Sequence, residues 1–330
     1  MAWLVIVLKA AVYRGPRNIR SEDIEKPKPS QGETLVRFLA GSICGTDLHL
    51  YRGEWTWMKP GTVMGHDACG VEESTGRRVV MIPVVYCGTC YYCMQGLFTL
   101  CEKSKVMGFS RDGFFAEHVA IPSQNLVPAP QDVSDEEAAI IEPVVLAIRT
   151  LNSLQPRMAD YVTVVGQGPI GIVMTQLAKL KGCRVIAVDV QEHRLELSEK
   201  YGADVCVNAA QEDVVEAVRR VTGRGSDIVV ETAGTRRTVE QTPFLVRRAG
   251  KVALLGESKG FLDLEKADEV QFSTFYISPL EYPLALDLVS RKMVDVKGLV
   301  SHRFRLQDFE KALQTADNPA ERPVKVVVTA

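Results

Sequence analysis

At roughly 100 to 200 residues per domain, the 330 residues of the chain suffice for two domains with their own cores, which excludes a tail, a linker or a miniprotein. Hydrophobic residues at 46% and charged residues at 24% are a globular make-up, and 39 Lys+Arg against 41 Asp+Glu give no basic excess with which to bind nucleic acid. No apolar run approaches the roughly 20 residues of a membrane span, and residues 3–8 lack the basic lead and small-residue cleavage site of a secretory signal. That run reads as a strand or a start-site extension, and a reducing, cytoplasmic setting is expected. Eight cysteines are the odd feature of the count, and in that setting clustered cysteines bind metal more often than they pair.

Along the chain, residues 9–130 carry short β-type runs at 34–38, 78–82, 84–86 and 115–121, broken by turn residues, and read as irregular and mostly β. Residues 134–154 change character. Ser134 followed by Glu137 resembles a capping box, and apolar residues then recur at helical spacing, which predicts a helix leading into a second domain. From residue 159 the buried-type runs 161–165, 184–188, 204–207, 227–231, 251–255 and 270–276 alternate with helix-length segments. This is the pattern of an α/β fold with a doubly wound parallel six-stranded sheet. Helix 283–292, the amphipathic segment 306–316 and a last strand 325–329 end the alternation and are expected to return to the first domain. The expected division is therefore 1–146 with 277–330, and 147–276.

Strand 162–165 runs into Gly166-Gln167-Gly168-Pro169-Ile170-Gly171, a helix follows, and Asp189 ends the next strand eighteen residues after Gly171. A bare Gly-x-Gly-x-x-Gly is weak, but strand, turn, helix and acid in this order point to a dinucleotide site rather than to a glycine-rich turn without a ligand. The glycines supply a tight turn, room for the pyrophosphate and close helix packing, and the helix N-terminus faces the phosphates. Asp189 would accept hydrogen bonds from the adenosine ribose and repel a 2′-phosphate, so NAD is favoured over NADP. Arg194 lies on the adenosine side and keeps the NADP alternative open.

Cys87, Cys90, Cys93 and Cys101 supply four thiolates within fifteen residues, which suits a closed, structural tetrahedral zinc site; an iron–sulfur centre or a redox-active pair are the alternatives. A second set is dispersed: Cys44-Gly45-Thr46-Asp47-Leu48-His49, Gly65-His66-Asp67 and Glu142-Pro143. Singly these are ordinary core residues. Together they offer a thiolate, an imidazole and one or two carboxylates, the mixed set of a catalytic zinc with an open position.

In this order the motifs resemble the zinc-dependent medium-chain dehydrogenase/reductase superfamily, over residues 9–328, and Glu142-Pro143 resembles its sorbitol and threonine dehydrogenase branch. The resemblance implies a GroES-like β-rich catalytic domain, a Rossmann domain and a cleft between them where zinc, nicotinamide and alcohol meet. It implies two zinc ions, NAD, and hydride transfer between NAD and a secondary alcohol such as a polyol, a sugar-derived alcohol or a threonine-like substrate. Where the family has Gly-His-Glu this chain has Asp67, one methylene shorter, and the hairpin at 71–79 is shorter than usual. In the polyol branch either acid can be the third protein ligand; Glu142 is favoured, with Asp67 in exchange or in contact with a ligand.

By the same resemblance Cys44, His66 and Glu142 hold the catalytic zinc, Thr46 takes the hydroxyl proton, and His49 passes it through the ribose hydroxyls to solvent. Thr46 as a buried turn hydroxyl and His49 as a surface histidine are the plainer readings. Trp55 and Trp57 form either a substrate wall or packing, while Cys69, Cys183 and Cys206 look like small buried hydrophobes. A homotetramer or homodimer is implied. A carbonyl reductase using NADPH and a catalytically silent NAD-binding protein on the same fold are the alternative functions.

Overall fold

The computed structural model describes residues 7–256, 260–263, 265 and 267–330. Of the apolar run at 3–8, only Val7 and Leu8 fall among them, as the start of the strand Val7–Gly15. The chain divides into two compact units, Met1–Glu142 with Ser278–Ala330, and Pro143–Ile277.

In the first unit a seven-stranded sheet is built around Glu33–Ser42. This strand pairs antiparallel with Ala68–Glu72, with His118–Pro122 and with the last strand, Lys325–Thr329. The closing strand puts Val327 opposite Ser42, so the C-terminus completes the sheet that the first forty residues begin. Phe38, Phe115 and Phe309 meet in its core, with ring centroids 6.4 Å (Phe38–Phe115) and 4.6 Å (Phe115–Phe309) apart.

The second unit is a six-stranded, wholly parallel sheet. Its order is Val205–Asn208, Arg184–Asp189, Tyr161–Val165, Ser226–Glu231, Val246–Leu254, Gln271–Thr274. The order reverses between Tyr161–Val165 and Ser226–Glu231, which makes the carboxyl ends of these strands the switch point where such sheets bind dinucleotides.

The helix expected over 134–154 is two helices, Asp135–Ala138 and Ile141–Leu154. The Ser134–Glu137 capping box is present, with the Glu137 amide donating to Ser134 Oγ. The break follows from Pro143, which has no N–H to offer the carbonyl four residues back and fits only the first turn of a new helix. That carbonyl, of Ala139, instead accepts the Ser42 hydroxyl at 2.9 Å. The restart sets Glu142 in the first turn of the second helix. Replacing Ser134 with Ala should destabilise the chain by about 1 kcal/mol through the lost cap, read as a lower chemical-denaturation midpoint.

Candidate active site

Cys44 is the N-cap of the short helix Gly45–Arg52, and its amide donates to Asp47 Oδ2 at 2.9 Å. This box buries the Asp47 carboxylate, and Asp47 Oδ1 then stands 3.7 Å from His66 Nδ1. His66 and Asp67 immediately precede the strand Ala68–Glu72. The donor atoms of Cys44, His66 and Asp67 lie within 4.8 Å of one another. Donors about 2.0 to 2.3 Å from one zinc stand roughly 3.3 to 3.8 Å apart, so small side-chain movements close the set on an ion. Asp67 Oδ1 is buried without a hydrogen-bond partner, as expected of a group that meets a cation, while His66 Nδ1 and Asp47 Oδ1, also without a hydrogen bond, face each other.

Behind the trio Lys325, buried in the last strand, and the Ser42 hydroxyl each stand 3.5 Å from Asp67 Oδ2. Glu142 is half-buried and lies outside the 4.8 Å set, which includes Asp67. The physical reason is local. Asp67 shares its segment with His66, whereas Glu142 arrives on a separate helix start.

The electrostatics belong to one cluster. Burial first, and the Asp67 carboxylate second, push Glu142 up to about 7, and burial raises Asp47. Burial opposes charging of the His66 imidazole, yet the carboxylates of Asp67 and Asp47 hold its pKa well above the ordinary value.

Cys87, Cys90, Cys93 and Cys101 converge on a second centre, their sulfurs within 4.8 Å of each other. The amides of Thr89 and Cys90 donate to Cys87 Sγ at 3.4 and 3.3 Å, and those of Cys87 and Lys103 to Cys101 Sγ at 3.3 and 3.4 Å. Such N–H donors favour thiolate, and those from Thr89 lead in lowering Cys87 to about 6, whereas burial raises Cys93 to about 12. All eight cysteines are free thiols, so neither cluster is a disulfide. Cys69 and Cys183 are buried and Cys206 half-buried, each with its thiol pKa raised by burial, fitting the packing role expected of them.

Thr46 and His49, three apart on the helix, share a face, and Thr46 Oγ1 lies 3.8 Å from Cys44 Sγ. His49 Nδ1 is hydrogen-bonded to Glu54, and its ring stacks on Trp55 at 4.9 Å. Aromatic contacts continue from Trp55 to Trp57 at 5.6 Å, to Phe109 at 5.4 Å and to His66 at 4.8 Å. Trp55 packs against the core, as the packing reading of this pair expects, while Trp57 is 53% exposed.

In the second unit Gly166 adopts φ +91°, and a Cβ on Gly171 would stand 1.9 Å from the Gly166 carbonyl, so only glycine permits the helix to approach the turn. Gly168 caps the helix Pro169–Leu180, with no atom within 4 Å of where its Cβ would be, and Pro169 and Ile170 form its first turn. Asp189 ends its strand with Oδ2 accepting from the Gln167 amide at 2.6 Å and Oδ1 from the Gln191 amide at 2.8 Å. Arg194 reaches Asp189 Oδ2 at 3.9 Å. Sequence reasoning missed Glu231, buried at the end of the neighbouring strand, which accepts from the amides of Ala233 and Gly234 at 2.9 Å. Next to it the Thr232 hydroxyl donates to the Gly166 carbonyl at 2.8 Å, tying the two strand ends together.

A β-rich unit with one closed and one open metal-type donor set, on the same chain as a Rossmann sheet, defines a class: zinc-dependent oxidoreductases that use a nicotinamide dinucleotide. Family models agree, for alcohol dehydrogenase GroES-like domains over residues 30–131 and zinc-binding dehydrogenases over residues 169–314. The chain is 33% identical to an L-threonine 3-dehydrogenase of Pyrococcus horikoshii, over 88% of its own length and 90% of the relative's. It is 29% identical to a sorbitol dehydrogenase of Bacillus subtilis, over 97% of each chain. A zinc-binding dehydrogenase from Sinorhizobium meliloti, solved bound to NADP, superposes with a TM-score of 0.90 at 30% identity, covering 98% of this chain and 100% of that one.

The chain therefore belongs to the zinc-dependent medium-chain dehydrogenase/reductase superfamily, in its threonine and sorbitol dehydrogenase-like branch. It is an enzyme that exchanges hydride between an alcohol or polyol and a nicotinamide cofactor. Among the described residues no helix is long and apolar enough to cross a membrane. Of the two metal-type clusters, only the four-cysteine one should be lost in Cys90→Ser: zinc measured by atomic absorption falls by one ion per chain and the melting temperature drops, while the other ion stays.

Proposed function

We propose that Cys44, His66 and Asp67 hold the catalytic zinc, with Glu142 as the acid that exchanges with Asp67 or steadies it. The observation that carries this is the convergence of those three donors at buried positions, with Lys325 behind Asp67. Zinc held there supplies a Lewis acid for the substrate hydroxyl, and bound NAD supplies the hydride acceptor.

The chain's own residues do the rest. Cys44 and His66 fix the open donor set, Thr46 takes the hydroxyl proton, and His49 hands it to solvent. Trp57 and Phe109 form the wall beside His66 against which the carbon skeleton of a secondary alcohol packs, whether polyol, sugar-derived or threonine-like. Cys87, Cys90, Cys93 and Cys101 hold a structural zinc that fixes their loop.

In the nucleotide site Gly166, Gly168, Pro169, Ile170 and Gly171 receive the pyrophosphate, and Asp189 receives the ribose hydroxyls. Each Asp189 oxygen retains a lone pair beyond the amide it already accepts. The charge of Arg194 is met by Asp189, which supports NAD over the NADP bound by the Sinorhizobium relative. The enzyme works in the cytoplasm as a homodimer or homotetramer.

Cys44→Ala should remove the catalytic zinc and lower turnover at least about a thousandfold, since several kcal/mol of Lewis-acid stabilisation are lost at 1.36 kcal/mol per tenfold. NADH binding, followed by fluorescence, should persist. Asp67→Asn should lose that zinc and Glu142→Gln retain it; the reverse result makes Glu142 the ligand. A screen of sorbitol, L-threonine, 2,3-butanediol and aldoses should show faster reduction of NAD than of NADP, and the opposite order would overturn the role given to Asp189.

A further inference from the structure

The helix Gly45–Arg52 ends at Gly53, which adopts φ +77° in the left-handed region and donates its amide to Leu50 O at 3.1 Å. A side chain there would be strained, and its Cβ would lie 2.9 Å from Pro16. The reversal sends the chain back over the helix it has just left. The amides of Glu54 and Trp55 donate to the His49 carbonyl at 3.0 and 3.4 Å, and their side chains meet the His49 imidazole from two directions. Glu54 is hydrogen-bonded to Nδ1, and Trp55 lies against the ring face with planes 21° apart.

A pair this exposed, with His49 at 28% and Glu54 at 48%, contributes little to stability. Its consequence is chemical. An ionised carboxylate only accepts hydrogen bonds, so the proton of neutral His49 must sit on Nδ1 and the lone pair on Nε2. Trp55 limits rotation of the ring. Among the described residues, the charged groups that contact the pair or its partners are Arg52, whose guanidinium is 3.8 Å from Glu54, and Asp317 of the helix Phe309–Asp317, which binds Arg52 at 2.5 Å.

We infer that Glu54 is a positioning residue that sets the tautomer of His49 and, with Trp55, the orientation of its ring, so that Nε2 is the atom through which the active site loses its proton. This rests on the proton relay proposed for Thr46 and His49. A proton arriving on Nε2 makes an imidazolium whose charge faces Glu54; the same N–H bond then breaks to water, which restores the neutral Nδ1–H form. No other bond forms or breaks, and no further reactant is required.

Two measurements test this. In long-range nitrogen–proton correlation spectra, His49, identified by its absence in His49→Asn, should be the Nδ1–H tautomer in the wild type. It should become a mixture in Glu54→Val, which offers Nδ1 no acceptor. In kinetics with sorbitol, L-threonine and 2,3-butanediol as probe alcohols, Glu54→Gln keeps an acceptor but loses the charge that favours imidazolium. The acid limb of its kcat profile should move to lower pH than in the wild type, because the imidazolium loses the carboxylate it faces. The plateau should fall roughly two- to tenfold as the base weakens, with KM for the alcohol and the zinc content unchanged.

An Nε2–H tautomer in the wild type, or a Glu54→Gln profile superimposed on the wild type while His49→Asn is slow, would overturn the role of Glu54 alone. A His49→Asn enzyme with wild-type kcat and profile would remove the relay itself, and the inference with it.

Discussion

The buried charge around Asp67 is the constraint to which the first unit is built. Asp47, Asp67 and Glu142 and the Cys44 thiol offer up to four negative charges against the single ammonium of Lys325. A low-dielectric interior does not hold such an imbalance, and proteins answer it with protons or with a metal. With protons alone, His66 charges well above its usual range, Glu142 moves to about 7 and Asp47 also rises. A divalent cation exchanges for those protons, so affinity for zinc and the pH at the site are linked. Lys325 does not remove the need for the cation; it makes Asp67 tolerable at 3% exposure while leaving the set anionic.

Each part of that cluster reaches its place through an ordinary rule of chain geometry. The N-cap position gives Cys44 a fixed backbone and buries Asp47 beside His66. Pro143 ends one helix and starts another, which frees the Ala139 carbonyl for Ser42 and brings Glu142 to the first turn. The C-terminal strand closes the sheet and delivers Lys325. The partner drawn from near the far end of the chain, Lys325, is thus carried by the most regular device available, a strand pairing.

What was legible in the sequence divides along the same line. The four-cysteine loop and the Gly166–Gly171 turn with its strand and helix are written within fifteen to thirty residues, each of the six alternating strands is itself a short local run, and the structure has them. Lys325 is 258 residues from Asp67, and Phe109 lies far along the chain from His66, so no local pattern announces either contact. The break at 139–140 was readable from Pro143, but the helical periodicity on both sides hid it. Asp47 lies inside the motif at residues 44–49, but its place behind His66 follows only from which way the helix faces. The choice between Asp67 and Glu142 likewise turns on geometry of a few ångströms.

The two thiolate-bearing sets differ in the donors they offer a metal. Four sulfurs on one loop, two of them receiving amide hydrogen bonds, would complete a tetrahedral zinc and leave nothing for a substrate. The other set mixes one thiolate, one imidazole and one carboxylate drawn from two segments, and three donors leave a position open. Softness matters as well. Replacing three thiolates by neutral imidazole, a carboxylate and a substrate oxygen leaves the metal more positive, and so a stronger acid toward a hydroxyl. The carboxylate that lies with Cys44 and His66 is that of Asp67, on a short side chain. It depends on Ser42 and Lys325, each 3.5 Å from Oδ2, to hold it in register while Oδ1 stays without a protein partner.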